Sequence, residues 1–395
     1  MTTTPLFAQQ LGLITQHNRN YEGADPMHGG WGPHLRSVMQ APDGSLWFST
    51  DSGPDVKHND AILYHKLVDG SWNPIGTNSL TANGGRIQQN TAHILVGRTI
   101  LSYGVDVDRG RLVECYFDTL DPSYKACNDV WIGSQPYAVP DRSNYVGAAV
   151  SPGGFRIVWF TSTGNPGQLV HLWNFGSGWN GPVTTPVHIS GNNYEYAAYL
   201  RPIFSSNNTV ELIGEVGIDD VLFLAAHVSI TIANHYPRAQ MSWLGPLDLA
   251  YAPKDIWVDD ADGLHAITGS SSNVGSYFYK APGGVWHYHS ESGLPGLTEA
   301  RFQHIAATDT LYLLSNEGPS ALLLRRGSVA GHTGPLDFGA FTAVPIPSPS
   351  GTNLTSPPAI YNMARAYQTT AVQNLNFAIV GTNPTFDHQI FHLHG

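Results

Sequence analysis

The chain has 395 residues, of which 42 are glycine, 27 are proline and only 12% are charged. That mixture suits many short strands joined by tight turns and excludes a mainly helical protein. A net charge of −11 with one basic pair, Arg325–Arg326, argues against a nucleic-acid partner, and no run of about 18 apolar residues exists to cross a membrane as a helix.

The chain opens Met1-Thr2-Thr3-Thr4-Pro5-Leu6-Phe7, without a basic n-region or an apolar core. No secretory signal is expected in this chain, so a cytoplasmic protein and the mature form of a secreted one both fit. Residues 7–14 read as a strand standing before a repeat. The first copy of that repeat has strands at 34–39, 46–49 and 61–65, with turns at Pro42-Asp43-Gly44 and Asp69-Gly70-Ser71-Trp72. Asp-Gly between apolar runs is a strong hairpin signal. A looser second copy spans 88–133. There Cys115 and Cys127 flank the turn Asp121-Pro122-Ser123-Tyr124, and a disulfide and two buried thiols fit equally well.

The third copy predicts strands at 145–148, 156–160 and 169–173, then Gly178-Trp179-Asn180. The fourth spans 193–247. The fifth has 255–258, 264–267 and 276–279, then Gly283-Gly284-Val285-Trp286. The sixth spans 301–346, and a Pro/Ser-rich stretch at 345–358 follows. The seventh, at 360–364, 375–380 and 389–394, lacks a fourth strand. First strands fall near residues 34, 88, 144, 194, 253, 302 and 358. A spacing of about 50 residues is that of a four-stranded blade. The expected fold is all-β: one seven-bladed β-propeller over residues 1–395, its last blade completed by the N-terminal strand. Closure of this kind removes free sheet edges.

In this repeat the chain resembles the β-propeller superfamily over nearly its whole length. It has neither the Trp-Asp ending of WD40 repeats nor the paired glycines of kelch repeats. Ser49-Thr50-Asp51-Ser52-Gly53 is similar to the first half of the sialidase Asp-box, with Pro54-Asp55-Val56 in place of the Thr-Trp ending. In outline the chain is similar to propellers among the polysaccharide lyases and glycosidases that act on uronic-acid sugars. The resemblance implies a carbohydrate-active protein, with a lyase ahead of a hydrolase. A non-catalytic lectin is the alternative, and a protein-interaction scaffold a further one.

In a propeller the loops leading into the first strands form one rim of the central channel, and polar groups converging on such a concavity mark a ligand site. Copy one brings His28, Trp31, His34 and Arg36 there. Copies two to four bring Asn90, His93, Arg142, Tyr145 and Tyr194. Copies five to seven bring Lys254, Arg301, His304 and Tyr361. β-Elimination beside a uronic carboxylate needs a cation on the carboxylate, a base for the α-proton and an acid for the leaving oxygen. Histidine and tyrosine suit the proton transfers, and arginine suits the carboxylate. His34, Tyr145 and His304, with Arg142 and Arg301, are therefore the expected catalytic set. His28, Trp31, Arg36, Asn90, His93, Tyr194, Lys254 and Tyr361 are expected to line the substrate.

Hydrolysis by paired carboxylates ranks lower, because Asp25, Asp51 and Asp255 offer no evident pair. His287-x-His289 and His392-x-His394 each set two imidazoles on one strand face, but on outer strands. A metal ion is an open alternative and no cofactor is expected. Trp72, Trp131, Trp179, Trp243 and Trp286 recur near the last turn of each copy and read as packing between blades rather than as sugar platforms. The expected partner is a carbohydrate or a small acidic ligand; the sequence does not indicate an oligomeric state.

Overall fold

The computed structural model describes residues 10–17, 35–50, 62–67, 69–75, 92–106, 108–121, 125–140, 143–151, 153–205, 209–218, 222–233, 236–244, 253–269, 275–290, 292–294, 296–317, 321–346, 360–365, 374–382 and 388–395. Among them the strands form six four-stranded sheets, one six-stranded sheet and a two-stranded hairpin, His188–Ile189 with Asn192–Asn193.

The first sheet holds Leu35–Gln40, Leu46–Thr50, Ile62–Lys66 and Trp72–Ile75. The second holds Ala92–Val96, Thr99–Asp106, Arg111–Asp118 and Lys125–Asp129. In the third, Ser143–Val150, Arg156–Ser162, Gln168–Asn174 and Trp179–Pro186 are extended by the hairpin Trp131–Ile132 and Gln135–Pro136. The fourth comprises Tyr196–Phe204, Thr209–Ile218, Leu222–Ala233 and Tyr236–Trp243. The fifth comprises Pro253–Val258, Leu264–Thr268, Ser276–Lys280 and Trp286–Tyr288. The sixth is Leu297–Ile305, Thr310–Glu317, Ala321–Ser328 and Thr342–Val344. The last is Ile360–Arg365, Asn376–Thr382 and His388–His394, with Gln10–His17 on its outer edge.

The expected Asp-Gly turns form for a local reason. Asp43 Oδ1 accepts the Ser45 N–H at 2.9 Å while Gly44 takes a φ of 84°, and Asp69 does the same for Ser71 at 2.9 Å with Gly70 at 86°. A short acceptor side chain beside a residue free to adopt positive φ is what such a turn demands.

Within each sheet the chain steps outward, and the innermost strand of each sheet lies beside the innermost strand of the next. Ile360–Arg365 lies beside both Leu297–Ile305 and Leu35–Gln40. The sheets thus stand around an axis as a β-propeller. Apolar layers fill the wedges between them. Ile213 and Ala225 of the fourth sheet meet Ile256, Ala266 and Phe278 of the fifth. Leu314 and Leu324 of the sixth meet Phe377, Phe391 and Leu393 of the last. The tryptophans pack as expected, with one exception. Trp72 meets His392 edge-on at 5.3 Å, Trp179 meets Tyr103 at 5.6 Å and Trp286 meets His227 at 5.2 Å, each reaching into a neighbouring sheet. Trp131 is 50% exposed, because it belongs to the hairpin that extends the third sheet rather than to a turn within the second. Cys115 and Cys127 stand opposite each other in register and are disulfide-bonded.

Side chains also tie sheet to sheet. Gln303 is buried on the sixth innermost strand; its Nε2 donates to the Asn374 carbonyl at 2.9 Å and its Oε1 accepts the Asn376 N–H at 2.9 Å. Asp255 Oδ2 accepts the Phe302 N–H at 2.8 Å, and Thr161 Oγ1 donates to the Ala197 carbonyl at 2.5 Å. Replacing Gln303 by leucine leaves two backbone groups without their partner. Gln303→Leu is expected to cost roughly 3 kcal/mol in a denaturant unfolding experiment.

Candidate functional site

Six innermost strands share an irregularity that the pairing of Ala92–Val96 lacks. Ladder register slips between Leu35 and Ser37, Asn144 and Gly147, Ala198 and Arg201, Pro253 and Asp255, Leu297 and Glu299, and Ile360 and Asn362. Each slip gives the innermost strand one residue more than its neighbour, a β-bulge. Bulges bend a strand and re-aim its side chains, and they collect at barrel rims and beside active sites. All six lie toward the leading, N-terminal ends of their strands. Because every sheet is laid down from the inside outward, those ends fall on one rim of the ring.

Four of the rim residues expected from the sequence sit at these bulges. Arg36, Lys254 and Tyr361 are the extra residues of the first, fifth and last sheets, and Tyr145 lies in the slip of the third. His28, Trp31, His34, Asn90 and Arg142 lie outside the described residues. His93, second in Ala92–Val96, is buried with its Nδ1 2.6 Å from Ser102 Oγ.

Two expected rim residues are elsewhere. Tyr194 precedes its strand and packs in a core with Val187, Ile189 and Val216, its ring edge-on to Trp243 at 5.2 Å. His304 lies five residues beyond Glu299, roughly 17 Å along an extended strand and so near the opposite rim. Its Nε2 is 3.2 Å from Asp309 Oδ1.

At the leading rim Lys254 belongs to a charge cluster that spans three sheets. Its Nζ donates to Glu299 Oε1 at 2.9 Å. Arg301, fully buried, donates through Nη1 to Glu299 Oε2 at 3.0 Å, to the Lys254 carbonyl at 2.9 Å and to the Ala300 carbonyl at 2.6 Å. Burial alone would raise the Glu299 carboxyl, but Lys254, Arg301 and Arg201 outweigh it and hold the group below its ordinary value. Glu215 goes the other way. Burial raises it, Lys254 and Arg201 offset only part of that, and Glu299 adds to the rise. The same cations therefore lower one carboxyl and fail to offset the burial that raises the other.

The opposite rim holds a network the sequence did not announce. His265, fully buried, has Nδ1 2.7 Å from Tyr277 Oη and Nε2 3.2 Å from Asp259 Oδ2. Tyr277 Oη also accepts the Leu336 N–H at 2.8 Å, which ties the fifth sheet to the sixth. Trp257, Tyr279 and His332 surround the imidazole at 4.5, 5.0 and 6.3 Å between ring centres. The available signal was Trp257 directly across the ladder from His265. A similar stack pairs Trp47 with His65, 4.3 Å apart.

The two spaced histidine pairs are not brought together. His392 is buried, with Nε2 2.9 Å from Asn376 Oδ1, and stacks on His394 at 4.8 Å. His289 lies 5.8 Å from Tyr277, ring to ring. Among the described residues no group of three or more His, Cys, Asp or Glu is placed to hold a metal ion.

Burial drives His227, His265 and His392 below the ordinary histidine value, His392 well below it. The unfolded chain therefore takes up protons at a higher pH than the folded one. The stability these groups provide is present above about pH 6.5 and is lost as pH falls below it. The carboxylates held low, Asp259 and Glu299, act only in more acid solution. Unfolding free energy is expected to drop as pH falls from about 7.5 to about 5.5. His392→Gln should make that drop smaller, read as denaturant midpoints at the two pH values.

No family model matches this chain, and no curated protein matches it in sequence. Solved structures match its fold. One is a polysaccharide lyase, an ulvan lyase bound to -[GlcA(1-4)Rha3S]-, with a TM-score of 0.56 and 10% identity over 90% of this chain and 92% of that one. Another is the BP39L lectin from Burkholderia pseudomallei, with a TM-score of 0.54 and 13% identity over 90% of this chain and 94% of that one. A protein of unknown function from Dyadobacter fermentans covers 98% of this chain and 97% of its own at a TM-score of 0.51 and 10% identity. At these identities the likeness is one of fold, and the fold shared is the β-propeller.

Proposed function

We propose that the chain is a single seven-bladed propeller that binds uronic-acid-containing saccharides at its leading rim and cleaves them by β-elimination. The blade count counts the six-stranded sheet as one blade carrying an added hairpin. Closure by the N-terminal strand is supported by the antiparallel pairing of Gln10–His17 with His388–His394, three residues later in the chain than the 7–14 expected.

The observation that carries the functional reading is the coincidence of bulges with Arg36, Tyr145, Lys254 and Tyr361 on one rim. A regular propeller has no need of six bulges at one level, and a ligand site that must present side chains across a channel does. In the reaction proposed, a base takes the proton α to the sugar carboxylate. The electron pair forms the new carbon–carbon double bond, the glycosidic carbon–oxygen bond breaks, and an acid protonates the leaving oxygen. His34 and Tyr145 share the two proton transfers. Arg36, Arg142 and Lys254 hold the carboxylate, which makes the α-proton acidic. Arg301 supports Lys254 and Glu299 from within the wall.

A lectin is the second reading. It is favoured by the cluster at Lys254, Glu299 and Arg301, whose groups suit holding an acid better than moving a proton. One experiment separates the readings: incubation with uronic-acid polysaccharides, followed by absorbance of the unsaturated product. A rise is expected, and His34→Ala or Tyr145→Phe should each slow it by at least about a hundredfold. Binding with new reducing ends but no absorbance would point to a hydrolase, and binding with neither to a lectin. No binding at all would end the carbohydrate reading.

A further inference from the structure

In the wedge between the fourth and fifth sheets, three polar side chains form a chain of hydrogen bonds. Glu211 Oε2 lies 2.6 Å from His227 Nε2, and His227 Nδ1 lies 3.4 Å from Ser242 Oγ. Strand pairing places them. Ser242 stands directly across the ladder from His227, and Ile213, two residues beyond Glu211, stands across from it on the other side. Partners across a ladder and residues two apart share one face of a sheet. That face meets the fifth sheet, since Ile213 and Leu244 pack there with Ile256 and Phe278.

The exposure of the three groups follows the order that acyl transfer requires. Glu211 and His227 are buried, while Ser242 is partly exposed. A carboxylate only accepts hydrogen bonds, so Glu211 fixes the ring proton on Nε2 and leaves the Nδ1 lone pair facing the Ser242 hydroxyl. Burial drives His227 below the ordinary histidine value; Glu211 opposes this and Lys280 of the fifth sheet adds to it. The ring is therefore neutral near pH 7, as a base must be. The longer of the two bonds is the one to the hydroxyl, and such bonds tighten when substrate arrives. Trp286 of the fifth sheet stands edge-on to His227 at 5.2 Å, and its buried Nε1–H has no acceptor among the described residues. A buried donor left unpaired is costly and has an acceptor to gain. Tyr288, two residues on and 38% exposed, extends the aromatic wall.

We propose that Ser242, His227 and Glu211 form a second, hydrolytic site on this propeller, which takes small carboxylic esters with an apolar group against Trp286 and Tyr288. Ser242 Oγ attacks the ester carbonyl carbon, and its proton passes to His227 Nδ1. The carbonyl electron pair moves onto the oxygen, to which the Trp286 N–H donates. When the pair returns, the bond from carbon to the alcohol oxygen breaks, and the alcohol leaves with the proton from His227. A water molecule then attacks the acyl-serine and gives its proton to the same nitrogen. The carboxylic acid departs and Ser242 regains its hydrogen. Glu211 orients the ring and stabilises its charged form at each transfer. The site shares no residue with the leading rim and does not depend on the saccharide reading.

The test is incubation of the purified chain with a fluorophosphonate probe, which labels base-activated serines, with the labelled peptide read by mass spectrometry. Initial rates on p-nitrophenyl acetate are measured alongside. The wild type should be labelled at Ser242 and should hydrolyse the ester. Ser242→Ala should take no label and slow hydrolysis at least about a hundredfold. His227→Gln and Glu211→Gln should each slow both labelling and hydrolysis, and Trp286→Phe should slow hydrolysis at least about tenfold. Ser242→Ala removes one partly exposed hydroxyl, so its fold is expected to hold, checked by its unfolding midpoint. A wild type that takes no label at Ser242, or a Ser242→Ala variant as fast as the wild type, overturns the site and leaves the saccharide reading untouched. Undiminished labelling of Ser242 in both His227→Gln and Glu211→Gln overturns the relay.

Discussion

Innermost strands of neighbouring sheets lie side by side but share no ladder, so the ring depends on side chains that reach across. Gln303 grips the backbone of the last sheet, Asp255 accepts from the sixth, and Arg301 donates to the Lys254 carbonyl of the fifth. Such bonds are few, buried and directional. Losing one exposes a backbone group to an apolar wedge, where it finds no replacement. The wedges supply most of the burial, but apolar contact is indifferent to small slips. Between the third and fourth, the fifth and sixth, and the sixth and last sheets, the polar ties fix how one sheet stands against the next. The residues that hold the ring and those that form the rim are partly the same, Arg301 above all.

The sequence made the repeat legible because its signals are local. An aspartate two residues before a serine and one before a glycine makes its turn without outside help, as at Asp43 and Asp69. The sheets follow from those turns and from the apolar runs between them. The disulfide was half legible: the cysteines were visibly symmetric about a turn, but register decides whether they meet. What the sequence offered for the rim were residue types rather than contacts. Arg36, Tyr145, Lys254 and Tyr361 were expected at the rim and sit at bulges there. The bulges themselves carry no local signature, since a bulge is a relation between two strands. Tyr194 and His304 were misjudged by distance along a strand: one stops short of the rim in a core, and the other runs past it. Glu299 went unnoticed because it meets Lys254 only when the fifth and sixth sheets close together.

The two rims contrast in chemistry. At the leading rim, the cations of Lys254 and Arg301 meet the carboxylate of Glu299. Near the opposite rim, between the fifth and sixth sheets, imidazoles are packed among aromatic rings and kept neutral by burial. The histidines are better placed to make the fold sensitive to acid than to meet a substrate, for His265 already spends both ring nitrogens on Asp259 and Tyr277.

The bond between Cys115 and Cys127 closes the outer hairpin of the second sheet into a covalent loop, at whose tip Leu120 is 60% exposed. A protease reaching that tip would cut the chain without separating it. The fragments would stay joined through the sulfurs, and the strands on either side would remain in their sheet. Such a molecule would look intact by mass under oxidising conditions and come apart only when reduced, so this exposed apolar turn is also one whose cleavage the fold can absorb.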